Sequence, residues 1–351
     1  MDKTRFKSVL RALRALIICT VLPLMLCGCS AERQLFALDT YIAFSVCGTR
    51  ADAAAEACSK EIARAEALFS PTLATSDISK LNARAGHPVT VDADTAALIV
   101  RAKELSELTG GAYAPCVWPL TELWGFRDEP RVPEETDILS LLPVTRASAV
   151  IIDGDTVTVP AGSGIDPGGI AKGYVSDRLR DILNDYGIKS ALITLGGNVY
   201  AHGTKTDGSL WRVGIQDPFD ASALIGTVAC CDTAVITSGS YQRYFEQDGE
   251  LYHHILDPET GRPANSGLVS VTVICPDGTE ADALSTALFV MGEEKALAFW
   301  RETGGFSLVL VRDDGSVTVT EDAPFTPADG LNATAVRKAF SGNASPAAPE
   351  K

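Results

Sequence analysis

Apolar residues recur every three or four positions in several parts of the chain, which is the spacing of helices with one buried face. Ser76 is a suitable N-cap for one of these helices, because its hydroxyl can accept a hydrogen bond from the first turn. Gly110–Gly111 and Gly187 follow apolar stretches and are typical helix ends. The pattern predicts helices over residues 51–68, from residue 76 onwards, and over 93–108, 172–187, 280–291 and 293–303.

Other segments alternate apolar and polar residues or form short apolar runs, which is typical of strands. The first predicted strand covers residues 35–47. Most other strands come late in the chain and alternate only loosely with helices, an order that predicts an α+β fold with mixed or antiparallel sheets. These later strands are predicted over residues 189–195, 210–215, 225–230, 233–238, 251–256, 268–275, 306–312 and 315–320.

The first 28 residues have the parts of an export signal. Five Lys and Arg residues come before or at the start of an apolar run from Ala15 to Leu26. A run of about a dozen residues is too short to span roughly 30 Å of hydrocarbon. It ends in Leu26-Cys27-Gly28-Cys29, which resembles the bacterial lipobox. We therefore expect removal of residues 1–28 and a lipid on Cys29, the alternative being an uncleaved helix that contains cysteines.

This N-terminus predicts a lipoprotein anchored to the outer face of a bacterial cell membrane. A diacylglycerol group with a further acyl chain gives lasting attachment, which one acyl chain does not. After the signal peptide, the predicted organisation is a lipid-anchored spacer over residues 29–34 and a single domain over residues 35–340. A loose tail is predicted over residues 341–351.

Charge and cysteine content narrow the range of partners. Without residues 1–28, which hold five basic side chains and one acidic one, the net charge is −19. Nucleic acid is not expected as a partner, because binding its phosphates requires basic patches. Six cysteines follow Cys29. Export favours disulfides, but their spacing gives no framework and most lie in apolar runs, so we favour buried free thiols.

A glycine-rich turn comes just before the helix predicted over residues 172–187. Gly168 and Gly169 would let a phosphate approach the backbone, where the first N–H groups of the helix could face it. Lys172 adds a positive charge in an acidic protein. The segment matches neither a P-loop nor a dinucleotide-binding fingerprint, and a purely structural turn is the alternative.

Asp282 and Thr286 are four residues apart in a predicted helix, so that both side chains project from the same face. A carboxylate and a hydroxyl, completed by backbone carbonyls and waters, suit Mg²⁺. The alternative is that Asp282 only caps or decorates the helix.

His253 and His254 end a predicted strand, before the turn Asp257-Pro258-Glu259-Thr260-Gly261. A histidine at this point can hydrogen-bond a phosphate or take up a proton near neutral pH. A role in stabilising the turn is the alternative.

Taken together, these segments resemble the ApbE family, the FAD:protein FMN transferases. The resemblance runs from about Leu35 to Val319. The segments that carry it are ALDT at 37–40, FS at 69–70, SKLN at 79–82, TGGAYAPCVWPLTELWGF at 109–126, DPGGIAKGY at 166–174, LGGN at 195–198, TSGSYQRYF at 237–245, HHILDPETGRP at 253–263 and ADALSTALFVMG at 281–292.

The resemblance implies an enzyme that binds FAD with Mg²⁺. A Ser or Thr hydroxyl of a target protein attacks the FMN-side phosphorus, AMP leaves, and FMN stays attached through a phosphoester. Asp282, Thr286 and the carbonyl of Gly169 match the family's metal ligands, and His254 matches its catalytic histidine. The positions that match residues lining FAD are Leu38, Ala112, Tyr113, Ala114, Asp166, Lys172 and Leu256.

The resemblance also implies the partners, which are subunits of membrane redox complexes or exported flavoproteins. This chain departs from the family at Ala114, where an Asp that contacts the nucleotide is usual, and at Leu38, where Met is common. Two other activities stay open at this point. One is a Mg²⁺-dependent FAD pyrophosphatase, in which water replaces the hydroxyl, and the other is a lipoprotein that binds FAD without catalysis.

Overall fold

The computed structural model describes residues 30–338, so the predicted signal peptide, Cys29 and the tail over 341–351 lie outside it. The helices in this range are α1 (Ala51–Phe69), α2 (Asp77–Ala83), α3 (Ala93–Leu108), α4 (Trp118–Trp124), α5 (Glu135–Leu141), α6 (Ala171–Asp185) and α7 (Gly278–Thr303). The strands are β1 (Ser30–Ala37), β2 (Thr40–Cys47), β3 (Val89–Thr90), β4 (Ile151–Asp153), β5 (Thr156–Thr158), β6 (Ser190–Leu195), β7 (Asn198–Gly203), β8 (Trp211–Gln216), β9 (Leu224–Cys230), β10 (Thr233–Gly239), β11 (Tyr244–Gln247), β12 (Glu250–His253), β13 (Leu268–Cys275), β14 (Ser307–Arg312), β15 (Val317–Thr320), β16 (Phe325–Pro327) and β17 (Ala333–Val336).

Nine strands form the main sheet, in the order β1-β2-β6-β7-β10-β13-β14-β15-β17. Neighbouring strands are antiparallel except for β15 and β17, which are parallel. The smaller sheets are β3-β5-β4, β16-β9-β8 and the hairpin β11-β12. The prediction of an α+β fold with mixed or antiparallel sheets is confirmed.

Both faces of the main sheet are covered. Helices α1, α6 and α7 pack on one face, and the sheet β16-β9-β8 packs on the other. In β13, Val271 and Val273 belong to the helix-side core, whereas Ile274 belongs to the opposite one. The strand is therefore buried on both faces, and even its polar residues Ser270 and Thr272 are fully buried.

The first predicted strand is in fact a hairpin. Residues 35–47 are divided between β1 and β2 by a turn at Leu38 and Asp39, which both have positive φ angles, 53° and 58°. This is the backbone of a two-residue hairpin turn whose twist suits the strands. Residues 30–34, predicted to be a spacer, are instead part of β1, where Ser30 pairs with Cys47. Residues 30–34 therefore belong to the folded domain.

Local signals locate most helices correctly. The hydroxyl of Ser76 accepts a hydrogen bond from the N–H of Ser79 at 3.0 Å, as an N-cap does. The two helices predicted over residues 280–291 and 293–303 together make up α7, and their predicted boundary is confirmed by Gly292, whose φ of 78° and ψ of 168° are not helical. The short helices α4 and α5 are absent from the prediction, because seven residues show too little periodicity. From residue 30 to residue 338, no helix combines the length and apolar character needed to cross a membrane.

Five cysteines are free thiols, namely Cys58, Cys116, Cys230, Cys231 and Cys275. All of them except Cys231 are buried. Burial raises the pKa of Cys58 and Cys275 to about 12, so both stay protonated at neutral pH. For these four buried residues, the prediction of buried free thiols is confirmed.

Candidate active site

One end of the main sheet collects residues that are far apart in the chain. The antiparallel register pairs Ile42 with Leu195, so the β1-β2 turn lies beside the β6-β7 turn. There, the N–H of Gly196 donates to the carbonyl of Tyr41 at 3.0 Å. Strand β10 ends at the same side with Ser238, and the first turns of α6 and α7 approach from the helix layer.

Asp282 is the central side chain of this region and is only 3% exposed. One carboxylate oxygen accepts a hydrogen bond from the N–H of Gly173, and the other accepts one from the side-chain amide of Asn198, both at 2.9 Å. The ammonium of Lys172 lies 3.7 Å from the second oxygen. Asp282 therefore joins α7 to α6 and β7. Asp282 is not the N-cap of α7, which is Asp277. It is also not an exposed side chain on the surface of that helix.

Thr286 lies one turn after Asp282 and faces Gly169. A Cβ atom added to Gly169 would lie 3.2 Å from the hydroxyl oxygen of Thr286 and 3.2 Å from the ring of Tyr113. The hydroxyl of Ser238 is 3.4 Å from that of Thr286. The structure thus brings together the three groups that the sequence singles out as candidate metal ligands. They are the carboxylate of Asp282, the hydroxyl of Thr286 and the backbone of Gly169.

The contact between α6 and α7 depends on small residues. A Cβ atom on Gly173 would lie 2.1 Å from the carbonyl oxygen of Gly278 and 2.7 Å from Cβ of Asp282. Asp177 accepts hydrogen bonds from the N–H groups of Gly278 and Thr279 at 2.9 and 2.8 Å. A carboxylate at a helix N-terminus is stabilised by the helix dipole. Sequence reasoning missed Asp177, and it named Asn198 only as part of the LGGN segment at 195–198, without a role for its side chain.

The glycine-rich turn before α6 is held by its own hydrogen bonds. The N–H groups of Ile170 and Ala171 donate to the carbonyl of Pro167 at 3.0 and 2.9 Å. Asp166 accepts hydrogen bonds from Gly168 N–H and from the hydroxyl of Thr121, both at 2.9 Å. Asp166 therefore shapes the turn.

Positive charge at this turn comes from the side chain of Lys172. Its ammonium donates to the carbonyl of Gly168 at 2.9 Å, beside Asp282. The ammonium is the group through which this turn can attract an anion.

The two histidines have different surroundings. His253 is buried, and both of its ring nitrogens are used, since Nε2 donates to the carbonyl of Ala264 at 3.0 Å and Nδ1 accepts from the N–H of Ile255 at 3.3 Å. Nδ1 of half-buried His254 donates to the carbonyl of Arg243 at 3.1 Å. Among the residues that the structure describes, none hydrogen-bonds Nε2 of His254. The turn-stabilising role thus belongs to His253, and His254 keeps a lone pair for chemistry.

His254 is neutral at neutral pH. Burial is the main cause of its lowered pKa, and the positive charges of Arg243 and Lys172 lower it further, to about 4. His254 also lies towards this end of the sheet, since Arg243, which it contacts, binds Asp39 in the β1-β2 turn. A neutral imidazole with a free Nε2 can accept a proton.

The remaining predicted contacts with FAD are distributed over two apolar clusters. Leu38, Ala112 and Tyr113 contact the core between the sheet and the helices, whereas Leu256 packs with Trp124 in a smaller cluster. The hydroxyl of Tyr113 is buried without a hydrogen-bond partner among the described residues. Burial and the nearby carboxylates raise the pKa of this phenol, so it stays a hydrogen-bond donor. Partly exposed Ala114 offers no polar group.

Residues 38–310 match the model of the ApbE family. The chain belongs to the ApbE family. This confirms the family resemblance of the sequence segments.

Similar ApbE proteins are known from several bacteria. The chain is 40% identical over 277 residues to the FAD:protein FMN transferase of Klebsiella pneumoniae (strain 342), an alignment that covers 76% of this chain and 85% of that relative. It is 38% identical to the FAD:protein FMN transferase of Treponema pallidum (strain Nichols), with 72% and 75% of the two chains covered.

Solved ApbE structures have the same fold. The ApbE protein of Thermotoga maritima superposes with a TM-score of 0.78 at 38% identity, covering 83% of this chain and 97% of the other. The flavin transferase ApbE of Vibrio cholerae superposes with a TM-score of 0.74 at 28% identity, covering 86% and 97%.

Proposed function

We propose that this ApbE protein transfers FMN from FAD to a Ser or Thr hydroxyl of an acceptor protein, with Mg²⁺, and releases AMP. Relatives that are 40% and 38% identical to it over 277 and 274 aligned residues are named FAD:protein FMN transferases. The observation that carries the proposal is the convergence of Asp282, Thr286, Lys172 and His254 at one end of the sheet. A carboxylate–hydroxyl pair, an ammonium and a neutral imidazole are the groups that phosphoryl transfer requires.

The donor set fits Mg²⁺. Within residues 30–338, no group of three or more His, Cys, Asp and Glu side chains could hold a metal ion. Mg²⁺ does not need such a group, because proteins hold it through one or two carboxylates together with substrate phosphates and waters. Asp282 would supply the carboxylate, Thr286 the hydroxyl and Gly169 the carbonyl. The absence of a side chain at Gly169 keeps open the space beside Thr286. A bound Mg²⁺ would neutralise pyrophosphate charge.

The chemical step exchanges the phosphoanhydride bond of FAD for a phosphoester bond to the acceptor. The acceptor hydroxyl oxygen bonds to the FMN-side phosphorus, and the bond from that phosphorus to the bridging oxygen breaks, so that AMP leaves with the electron pair. Nε2 of His254 takes the hydroxyl proton, and Lys172 faces the pyrophosphate. The negative pyrophosphate opposes the effect of Lys172 and Arg243 on His254. FAD binding should therefore raise the pKa of His254 from about 4 towards the range in which a base is most effective.

We further propose that the enzyme acts as a lipoprotein on the outer face of the cell membrane. The support is the lipobox-like end of the signal segment at Cys29. Acceptors would be membrane redox-complex subunits or exported flavoproteins, whose flavin sites lie on the same side.

The test is incubation of the purified protein with FAD, Mg²⁺ and a candidate acceptor, followed by mass measurement of the acceptor and assay of AMP. We expect the acceptor to gain one FMN, with one AMP released for each. Rapid AMP release without acceptor would mean that water is the true acceptor and the protein is a pyrophosphatase. FAD binding without AMP under any condition would overturn both activities.

A further inference from the structure

We propose that Asp39 and Arg243 act as a positioning pair, which holds the imidazole of His254 in the orientation and tautomer that proton transfer requires. The proposal rests on the proposed function, because it assigns these residues to the same reaction. Neither residue is a metal ligand or a proton acceptor in that reaction. Their role follows from how three distant segments meet.

Asp39 is held on a rigid turn. Its φ angle of 58° and that of Leu38, 53°, lie in the left-handed region that glycine or asparagine usually occupies in two-residue hairpin turns. Strand pairing between Ala37 and Thr40 closes the turn. The N–H of Gly196 fixes it from the other side through the carbonyl of Tyr41. A carboxylate on such a support has a defined position.

Arg243 links this turn to His254. It lies between β10 and β11, and its guanidinium donates to the Asp39 carboxylate at 2.7 Å. The carbonyl oxygen of the same residue accepts two hydrogen bonds from His254, one from the backbone N–H and one from Nδ1, both at 3.1 Å. A shift of Arg243 would therefore move the hydrogen-bond acceptor that keeps the proton on Nδ1 and the lone pair on Nε2.

The pair contributes little to overall stability. The side chains of Arg243 and Asp39 are 40% and 57% exposed, and exposed ion pairs typically add almost nothing to the free energy of unfolding. The ion pair adds little stability, yet Asp39 occupies a strained backbone conformation. Its position in the fold is better explained by a role in the neighbouring site than by stability. Catalytic groups lose much of their effect when they are misplaced by fractions of an ångström.

The deciding variant is Asp39→Gly, because glycine keeps the positive φ angle and removes only the carboxylate. We expect kcat for FMN transfer to fall about tenfold, which is part of the 10²- to 10⁴-fold that a general base contributes. KM for FAD should stay within about twofold and Tm should not fall. Asp39→Asn, which tolerates this φ and keeps an acceptor oxygen for Arg243, should recover part of the loss.

The matched control is Asp52→Asn. Asp52 forms an equally short exposed ion pair with Arg33 of β1, at 2.7 Å, away from the site. Its loss should leave kcat unchanged.

A second readout is the ¹⁵N spectrum of His254, in which the wild-type protein should show a protonated Nδ1 and a bare Nε2. Asp39→Gly should show a mixture of tautomers. Wild-type kcat together with an unchanged spectrum in Asp39→Gly would overturn the positioning role. If the wild-type protein itself transfers no FMN, the proposed function fails, and the spectrum alone then decides the positioning proposal.

Discussion

At the scale of single residues, Asp282 is buried although removing a carboxylate from water is costly. The N–H of Gly173 and the amide of Asn198 compensate for this cost through hydrogen bonds, and Lys172 adds an opposite charge. These contacts hold the carboxylate in place before any metal binds. The free-energy cost of burying Asp282 is explained if a negative charge is needed at this point.

Asp282→Asn should keep the fold but lose at least about 100-fold in Mg²⁺-dependent FMN transfer. Even changes to residues that only support a metal ligand cost 10- to 100-fold in affinity or activity. Activity as a function of Mg²⁺ concentration, together with Tm, is the measurement. Asp181→Asn, on the exposed face of α6, is the control and should behave as wild type. Near-normal activity in Asp282→Asn would mean that the metal assignment is wrong.

His254 should make the stability of the fold depend on pH. Its pKa is about 4 in the folded protein, against 6.5 for an unperturbed histidine. Between these two values the unfolded state binds a proton that the folded state does not, so the free energy of unfolding rises with pH in this window. In His254→Asn, the free energy of unfolding, measured with urea, should rise less between pH 4.5 and pH 7 than in the wild-type protein. An equal slope in both proteins would argue against a neutral, partly buried His254.

At the scale of elements, the junction between α6 and α7 determines the position of the site. Gly173 lets the two helices approach until its N–H reaches Asp282. Asp177 holds the first turn of α7 from the other side. The orientation of the α7 face that carries Asp282 and Thr286 is therefore set by its contact with α6 as much as by its own periodicity.

Gly173→Ala should lower the free energy of unfolding by about 1–3 kcal/mol, the usual cost of adding a methyl group to a tightly packed core. It should also reduce FMN transfer strongly, because the added Cβ would displace the backbone near Asp282. Urea unfolding and the transfer assay test the two effects. Asn184→Ala, at an exposed position of the same helix, should change neither. An unchanged stability in Gly173→Ala would show that the helices can separate freely.

The elements also show what local signals can reveal. The C-terminal end of α3 and the N-cap of α2 were predictable, because they depend on the glycines at 110–111 and on Ser76 in their own segment. The hairpin in residues 35–47 was missed, because the turn uses Leu38 and Asp39 in a conformation that favours glycine. The first two strands were consequently merged into one.

At the scale of the whole molecule, β1 runs from the residue after Cys29 to the active-site end of the sheet. Eight residues of antiparallel strand extend about 25 Å. Since β1 pairs with β2 from Ser30 onwards, residues 30–34 form no loose spacer. If Cys29 carries the lipid, the turn at Leu38 and Asp39 lies one strand length from the anchored residue.

Cys29→Ser should release the protein from the membrane fraction and leave FMN transfer to a soluble acceptor unchanged. The physical reason is that the acyl groups, and not the folded domain, would hold the protein at the bilayer. Cell fractionation and the transfer assay are the measurements. Cys27→Ser, two residues earlier, is the control and should stay membrane-bound. Membrane retention of Cys29→Ser would contradict the lipid assignment.

The sequence by itself determined the kind of fold and the family to which the chain belongs, and it predicted which residues carry the chemistry. Asp282 and Thr286 share a helix face, and the family resemblance rests on motifs that need no coordinates to read. Only the tertiary structure decided that Asn198 and Gly173 bind Asp282, and that Arg243 connects Asp39 to His254. These contacts join residues far apart in the chain, and strand register and helix packing, which no local pattern encodes, bring them together.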